Sequence, residues 1–189
     1  HTVIQTLGRQ FGSTLKRLPD GETGERTNWL QFQENVFEQM PQFDRVEGDF
    51  DWRNPTAQRA ASSQFKLKPG AKVDAHSFGA LGFSESALAS YDIFKNLRSQ
   101  GDILPSPYNV ISWGIENSSR VEVEIAYEAC ILNELKVITQ HIPHEDLSIQ
   151  WDCAHDMQAF DGARTPWFSP AKPGIIDRLV RLGQAVPGD

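Results

Sequence analysis

Apolar residues recur along this chain at two spacings: near every second position in short runs, and every third or fourth in longer ones. That alternation predicts strands interleaved with helices. Val3, Ile4, Leu7 and Phe11 give residues 2–11 the look of a helix tail, weakened at Gly8 and ended at Gly12. Because His1 opens the sequence inside an element, the natural N-terminus is expected upstream. Residues 14–18 read as a short strand. Residues 28–40, with Trp29, Phe32 or Gln33, Val36 and Met40, read as a helix stopped by Pro41. Residues 41–70 are polar and irregular, a long excursion with room for a short strand at 64–67.

The second half repeats the alternation. Residues 72–78 read as a strand, and Ser84 is the expected N-cap of a helix over 85–100 with the stripe Ala87, Leu88, Tyr91, Phe94 and Leu97. The β-branched and aromatic run 108–113 reads as a strand. Residues 121–140 form the clearest helix, with the stripe Ile125, Ala129, Leu132, Leu135 and Ile138. A strand over 147–154 and a helix over 174–184 complete the order, with an exposed proline-rich loop at 165–173 between them. Strictly alternating strands and helices imply a parallel sheet with crossover helices. The fold class expected is α/β, a (β/α)8 TIM barrel incomplete in this chain, since four such units make about half of a barrel of roughly 250 residues. An open doubly wound sheet is the alternative. No G-x-G-x-x-G or G-x-x-x-x-G-K-[ST] follows a strand, which weighs against nucleotide-binding versions.

Composition narrows the class. In 189 residues, 39% hydrophobic and 23% charged, there is enough for one domain with a real core. A net charge of −7 without a basic stripe argues against nucleic acid as a partner. No apolar run reaches membrane-span length and no signal peptide opens the sequence, so a cytoplasmic enzyme or binding protein fits best. Cys130 and Cys153 do not make a disulfide framework.

Two stretches carry candidate chemistry. The first is Arg17-Leu18-Pro19-Asp20-Gly21-Glu22-Thr23-Gly24-Glu25-Arg26, followed by Trp29. Proline and two glycines let this loop hold one shape, and almost nothing in it is apolar, so it is not core. A shaped loop of acids and arginines after a strand is where α/β enzymes place catalytic groups, although a solvated turn with internally paired charges has the same composition. The second stretch is Leu147-Ser148-Ile149-Gln150-Trp151-Asp152-Cys153-Ala154-His155-Asp156. A period of two puts Ser148, Gln150, Asp152 and Ala154 on one face, against Ile149, Trp151 and Cys153 on the other. In a barrel the polar face points inward, where an amide and a carboxylate are costly unless they bind something. Asp152 is then placed for catalysis or for gripping an amine or hydroxyl, the alternative being a Gln–Asp pair satisfied by backbone. His76, on the expected strand 72–78, is a candidate pocket residue, and His141 and His144 are expected to be exposed beside Pro143. Cys153 and His155 make a C-x-H pair without the further ligands that a metal needs, and no G-x-S-x-G elbow exists.

Together, the Arg17–Arg26 run with Trp29, Leu81-Gly82-Phe83, Ala89-Ser90-Tyr91, Leu104-Pro105-Ser106-Pro107-Tyr108 and Ile142-Pro143-His144-Glu145-Asp146-Leu147-Ser148-Ile149-Gln150-Trp151-Asp152 resemble a PDGETGER-containing group of the uroporphyrinogen decarboxylase/cobalamin-independent methionine synthase-like superfamily. The resemblance implies a (β/α)8 barrel with its pocket at the C-terminal strand ends. Ile149-Gln150-Trp151-Asp152 is similar to the Ile-Gln-x-Asp strand of the methionine synthases, whose aspartate contacts the amino-acid substrate, which points to Asp152 and, more loosely, Gln150. Zinc is implied too, through a His-x-Cys motif expected beyond Asp189, with no metal ligand assigned in this chain. The step from Ile103 to Leu104-Pro105 is expected to leave no room for the strand that precedes this motif in the family, so the single domain over 1–189 reads as lacking segments there and at both ends.

The first reading is therefore transfer of a methyl or alkyl group to the thiol of a small acidic substrate, with zinc making the thiolate. Here Asp20 and Glu22 orient the substrate, Arg26 holds a carboxylate or phosphate, Asp152 an amine, and Arg17, Trp29, His76 and Gln150 complete the pocket. The second is a metal-free decarboxylase or lyase, with Arg17 or Arg26 clamping the acid and Asp152 stabilising developing positive charge. The third is a non-catalytic barrel binding a small molecule or partner. A monomer or homodimer is expected from the superfamily.

Overall fold

The computed structural model of the chain describes residues 6–7, 10–11, 18–19, 24–28, 30–47, 63–95 and 100–188. In chain order its elements are β1 (Leu18–Pro19), α1 (Glu34–Glu38), β2 (Phe43–Glu47), β3 (Ser63–Leu67), α2 (Phe83–Phe94), β4 (Gln100–Pro105), α3 (Pro107–Gly114), α4 (Arg120–His141), β5 (Leu147–Asp152), α5 (Ala154–Phe160) and α6 (Ala171–Ala185). The architecture is mixed α/β and rich in helix. A three-stranded parallel sheet runs β1–β4–β5, and β2 and β3 form a separate antiparallel pair. The described strands do not close into a barrel. Among the described residues no helix is long and apolar enough to cross a membrane.

The core lies where α4 and the aromatic side chains around Phe37 meet. Phe37 has Phe43, Phe65, Phe78 and Tyr127 within ring-centroid distances of 5.8, 5.5, 6.2 and 6.0 Å. Polar groups inside it are matched. The buried Gln33 amide donates to the Leu81 carbonyl at 3.1 Å and accepts the Tyr127 hydroxyl at 2.8 Å. The buried Glu134 carboxylate accepts the N–H groups of Leu81 at 2.8 Å and Ser84 at 2.6 Å, so α4 supplies the cap of α2. The residue at the α2 N-cap is Gly82, at φ 89°, with no capping side chain of its own. Ser84, the expected N-cap, is instead inside the helix.

Several elements differ from the sequence expectation. Residues 72–78 are not a strand: Asp74 and Ser77 form a capping box that starts a 3-10 turn at Ala75–Phe78. Residues 108–113 belong to α3, because Ser106 accepts the Asn109 N–H at 3.1 Å and Pro107 occupies the first helical turn. Burial of nearly every α3 side chain erases the one-sided stripe that marks a surface helix. The expected helix over 28–40 is broken into 3-10 turns and the single α-helical turn of α1, and α2 stops at Phe94 rather than running to residue 100. β4 occupies the place where no strand was expected, paired with β5 from Gln100↔Leu147 to Pro105↔Asp152. In α4 the helical period holds but the phase is shifted. Val123, Tyr127, Ile131 and Ile138 are buried, whereas Ile125 is 71% exposed.

Candidate functional site

β4 and β5 end side by side, and each leads at once into a short helix, Ser106 opening α3 and Cys153 opening α5. The carboxyl ends of parallel strands are where such sheets bind ligands. The two exits are tied together by backbone and amide. Asp152 carbonyl oxygen accepts the Ser106 N–H at 2.8 Å and the Asn109 Nδ2 at 2.7 Å. The other end of the Asn109 amide, Oδ1, accepts the His155 N–H at 2.6 Å. One buried asparagine thus fixes the start of α5 against α3.

Behind this bridge lies a buried polar cluster. Ser106 Oγ donates to Asp156 Oδ2 at 2.5 Å, and Ser112 Oγ lies 2.6 Å from His155 Nδ1. The Ser112 carbonyl accepts from two guanidiniums, Arg120 Nη2 at 3.1 Å and Arg164 Nη1 at 3.5 Å. The Tyr108 ring stacks on Trp167, with centroids 4.5 Å apart and planes at 11°. Trp167 Nε1 and both donors of an Arg178 fork meet the buried Glu124 carboxylate, which locks α6 onto α4. Two atoms of this cluster, the Tyr108 hydroxyl and Asp156 Oδ1, are buried with no hydrogen-bond partner among the described residues.

Burial sets the protonation states. It pushes Asp156 up to about 6 against the lowering bond from Ser106, and raises Asp152 against the N–H of Ala154. His155 is held down to about 4, first by burial and then by the positive field of Arg164 and Arg120, so its imidazole is neutral at physiological pH. Tyr108 is pushed up to about 12 by burial and stays a hydroxyl donor. A neutral imidazole, a carboxyl raised to about 6 and a half-buried carboxylate thus stand close together, groups of the kind that acid–base chemistry can use.

The expected site residues are distributed unevenly. Asp152 is half-buried at the end of β5, and Gln150, two positions earlier on the same face, is exposed, while Ile149 and Trp151 pack on the core. His76 is exposed in the turn Ala75–Phe78 and lines a groove with Asn35, Gln39 and Gln42 that includes none of the strand-end residues. It is therefore not a strand-end group, because the strand expected to carry it does not exist. Arg26 is half-buried in the 3-10 turn Gly24–Asn28. Arg17, Asp20, Glu22 and Trp29 lie outside the described residues. His141 and His144 are exposed.

Zinc, implied by the family resemblance, finds no fitting donor set among the described residues. Among the described residues no three His, Cys, Asp or Glu side chains converge as a metal requires. Cys130 is buried in α4 with its thiol raised to about 11 by burial, and Cys153 is raised to about 12 by burial and the charges of Asp156 and Asp152. Burial therefore favours the protonated thiol at both positions.

Ser106, Tyr108, Asn109, Ser112, Asp156 and Arg164 were not singled out as site residues in the sequence. The Ser106-Pro107 pair carried a signal, an N-cap followed by proline, and Asp156 falls four residues after Asp152, where a strand-to-helix turn brings both to one edge. Compared with known proteins, the chain matches no family model, no curated relative and no solved structure.

Proposed function

We propose that the carboxyl edge of β4 and β5 is the active site of a small-molecule enzyme of the methionine-synthase-like kind, which moves a methyl or alkyl group onto the thiol of a small acidic substrate. The observation that carries this reading is Asp152. It is a half-buried carboxylate at the end of a parallel strand, raised by burial and without a cationic partner among the described residues. Such a group is stabilised by a substrate's ammonium or hydroxyl, which supplies the partner that the protein does not. Its backbone is fixed by Ser106 and Asn109, so the carboxylate is held in place before the substrate arrives. Parallel strands followed by helices are the units of a (β/α)8 barrel, and that is the fold proposed for the whole. No described residue activates the thiol, and no step is assigned to zinc.

A second reading, a metal-free decarboxylase or lyase, is favoured by a different observation. Asp156, titrating near pH 6, and the half-buried Arg164 place a proton donor and an anion holder in one cluster.

Both readings are tested by incubating the protein with a panel of small thiol acids and a methyl donor, following S-alkylation by mass spectrometry and carbon dioxide release in parallel. S-alkylation abolished by Asp152→Asn supports the first reading. Carbon dioxide release without alkylation supports the second, and neither product with any member of the panel contradicts both.

A further inference from the structure

Arg164 is the anomaly of the cluster. Its guanidinium is half-buried and its pKa is lowered by that burial, yet among the described residues its partners are all neutral. Nε donates to the Gln158 Oε1 at 3.2 Å and Nη1 makes a long contact to the Ser112 carbonyl. Nη2 donates to no described residue. A desolvated cation with neutral partners is costly, and guanidiniums in such positions normally have a carboxylate or phosphate across their fork. The acids nearby do not serve. Glu124 accepts from Arg178 and Trp167, and Asp156 is bonded to Ser106.

The surroundings are arranged for a negative charge. Arg120, buried and bonded to the carbonyls of Ile115 and Ser112, converges on the same Ser112 carbonyl as Arg164 and adds to the positive field. That field reaches His155, where both arginines oppose protonation. The Tyr108 hydroxyl is a second, independent sign. Tyr108 is 1% exposed, its hydroxyl has no hydrogen-bond partner among the described residues, and it feels Arg164 more strongly than any other charged group. A buried hydroxyl with nothing to bond marks a place where a ligand atom or a solvent molecule completes the structure.

We infer that Arg164, backed by Arg120 and the Tyr108 hydroxyl, is the anchor for a carboxylate of a small organic acid at the strand-end site. The inference rests on the reading of that edge as a site for a small acidic substrate. It assigns the acid group to the turn after α5, while Asp152 takes the amine or hydroxyl. The planar fork of Arg164 matches a carboxylate in two parallel hydrogen bonds, a geometry that lysine cannot reproduce.

Succinate is the probe, since it has neither amine nor thiol and so tests the anchor separately from Asp152. Nitrogen-detected NMR of the Arg164 Nε–H is expected to shift saturably with succinate, and Arg164→Ala to weaken binding at least about tenfold, the scale of one charge-assisted hydrogen bond. Arg164→Lys, which keeps the charge and spares the fold, weakens it by a similar factor. Tyr108→Phe weakens it less, and Arg181→Ala, on an arginine already paired with Glu128, leaves it unchanged. Inorganic phosphate binds more weakly than succinate; tighter phosphate binding overturns the carboxylate assignment. An absent succinate response, or wild-type affinity in both Arg164 variants, overturns the anchor itself. Retained succinate binding in Asp152→Asn, alongside failure of every thiol acid to react, leaves the anchor standing and removes only the proposed reaction.

Discussion

The Ser106 hydroxyl donates to Asp156 Oδ2 at 2.5 Å, joining the residue that follows β4 to the helix that follows β5. Ser106 also caps α3 with the same oxygen, accepting the Asn109 N–H. One hydroxyl therefore starts a helix and holds a buried carboxyl at the proposed site. Because Asp156 is fully buried and its other oxygen has no partner among the described residues, the protein disfavours its ionised form.

That cost has a sign that can be measured. The folded-state pKa of Asp156 is raised to about 6 from 3.8, so its favourable contribution is present below pH 4 and is lost as pH rises through 6. Asp156→Asn, neutral throughout, is expected to gain stability relative to the wild type between pH 4 and 7. The gain approaches roughly 3 kcal/mol at most, since each tenfold change in proton affinity is worth about 1.4 kcal/mol. Denaturant unfolding at several pH values measures it, and a pH-independent difference contradicts the burial of an ionising carboxyl.

His155 moves the other way. Its pKa falls from 6.5 to about 4, so its contribution is present above pH 6.5 and is lost as pH falls through 4. His155→Gln is expected to remove the part of acid destabilisation that falls between pH 6.5 and 4. Proton-detected titration of the imidazole checks the cause directly, since a value near 6.5 would mean that the ring is solvated.

Asn109 uses both ends of its amide, to Asp152 and His155, and is fully buried. Asn109→Ala is expected to cost about 2–4 kcal/mol, because it leaves a carbonyl and an N–H with fewer partners and opens a void. Asn109→Asp keeps the acceptor but loses the donor and sets a buried carboxyl against the Asp152 carbonyl, so it should cost at least as much at neutral pH. Thermal unfolding of the three proteins orders them.

Glu134 caps α2 from α4 through the N–H groups of Leu81 and Ser84. Glu134→Ala is expected to cost roughly 2–3 kcal/mol by orphaning these donors, and hydrogen exchange should rise first at the start of α2. Uniform exchange across α2 and α4 would contradict a local cap.

The fold was legible in the sequence where local signals and burial agreed. α4 and β5 follow their apolar periods, and β3 falls within the excursion where a short strand was expected. α3 was read as a strand because burial on all sides leaves no polar face, and only Ser106-Pro107 records the helix start. β4 was missed because Gln100-Gly101-Asp102 carries little apolar character, and its pairing with β5 comes from tertiary context. At the proposed site, Asp152 was a candidate from strand phase and from the resemblance of Ile149–Asp152 to a family strand. Arg164 could not, because the features that mark it, half-burial and neutral partners, are three-dimensional.

The most direct measurement is ligand-observed NMR of small thiol acids, with and without an α-amine, against the wild type and Asp152→Asn. The account predicts that amine-bearing acids bind the wild type and that Asp152→Asn weakens them at least about tenfold, while acids without the amine bind both proteins alike. Equal binding of the amine-bearing acids to both proteins, or none to the wild type, would contradict the placement of the substrate at the end of β5.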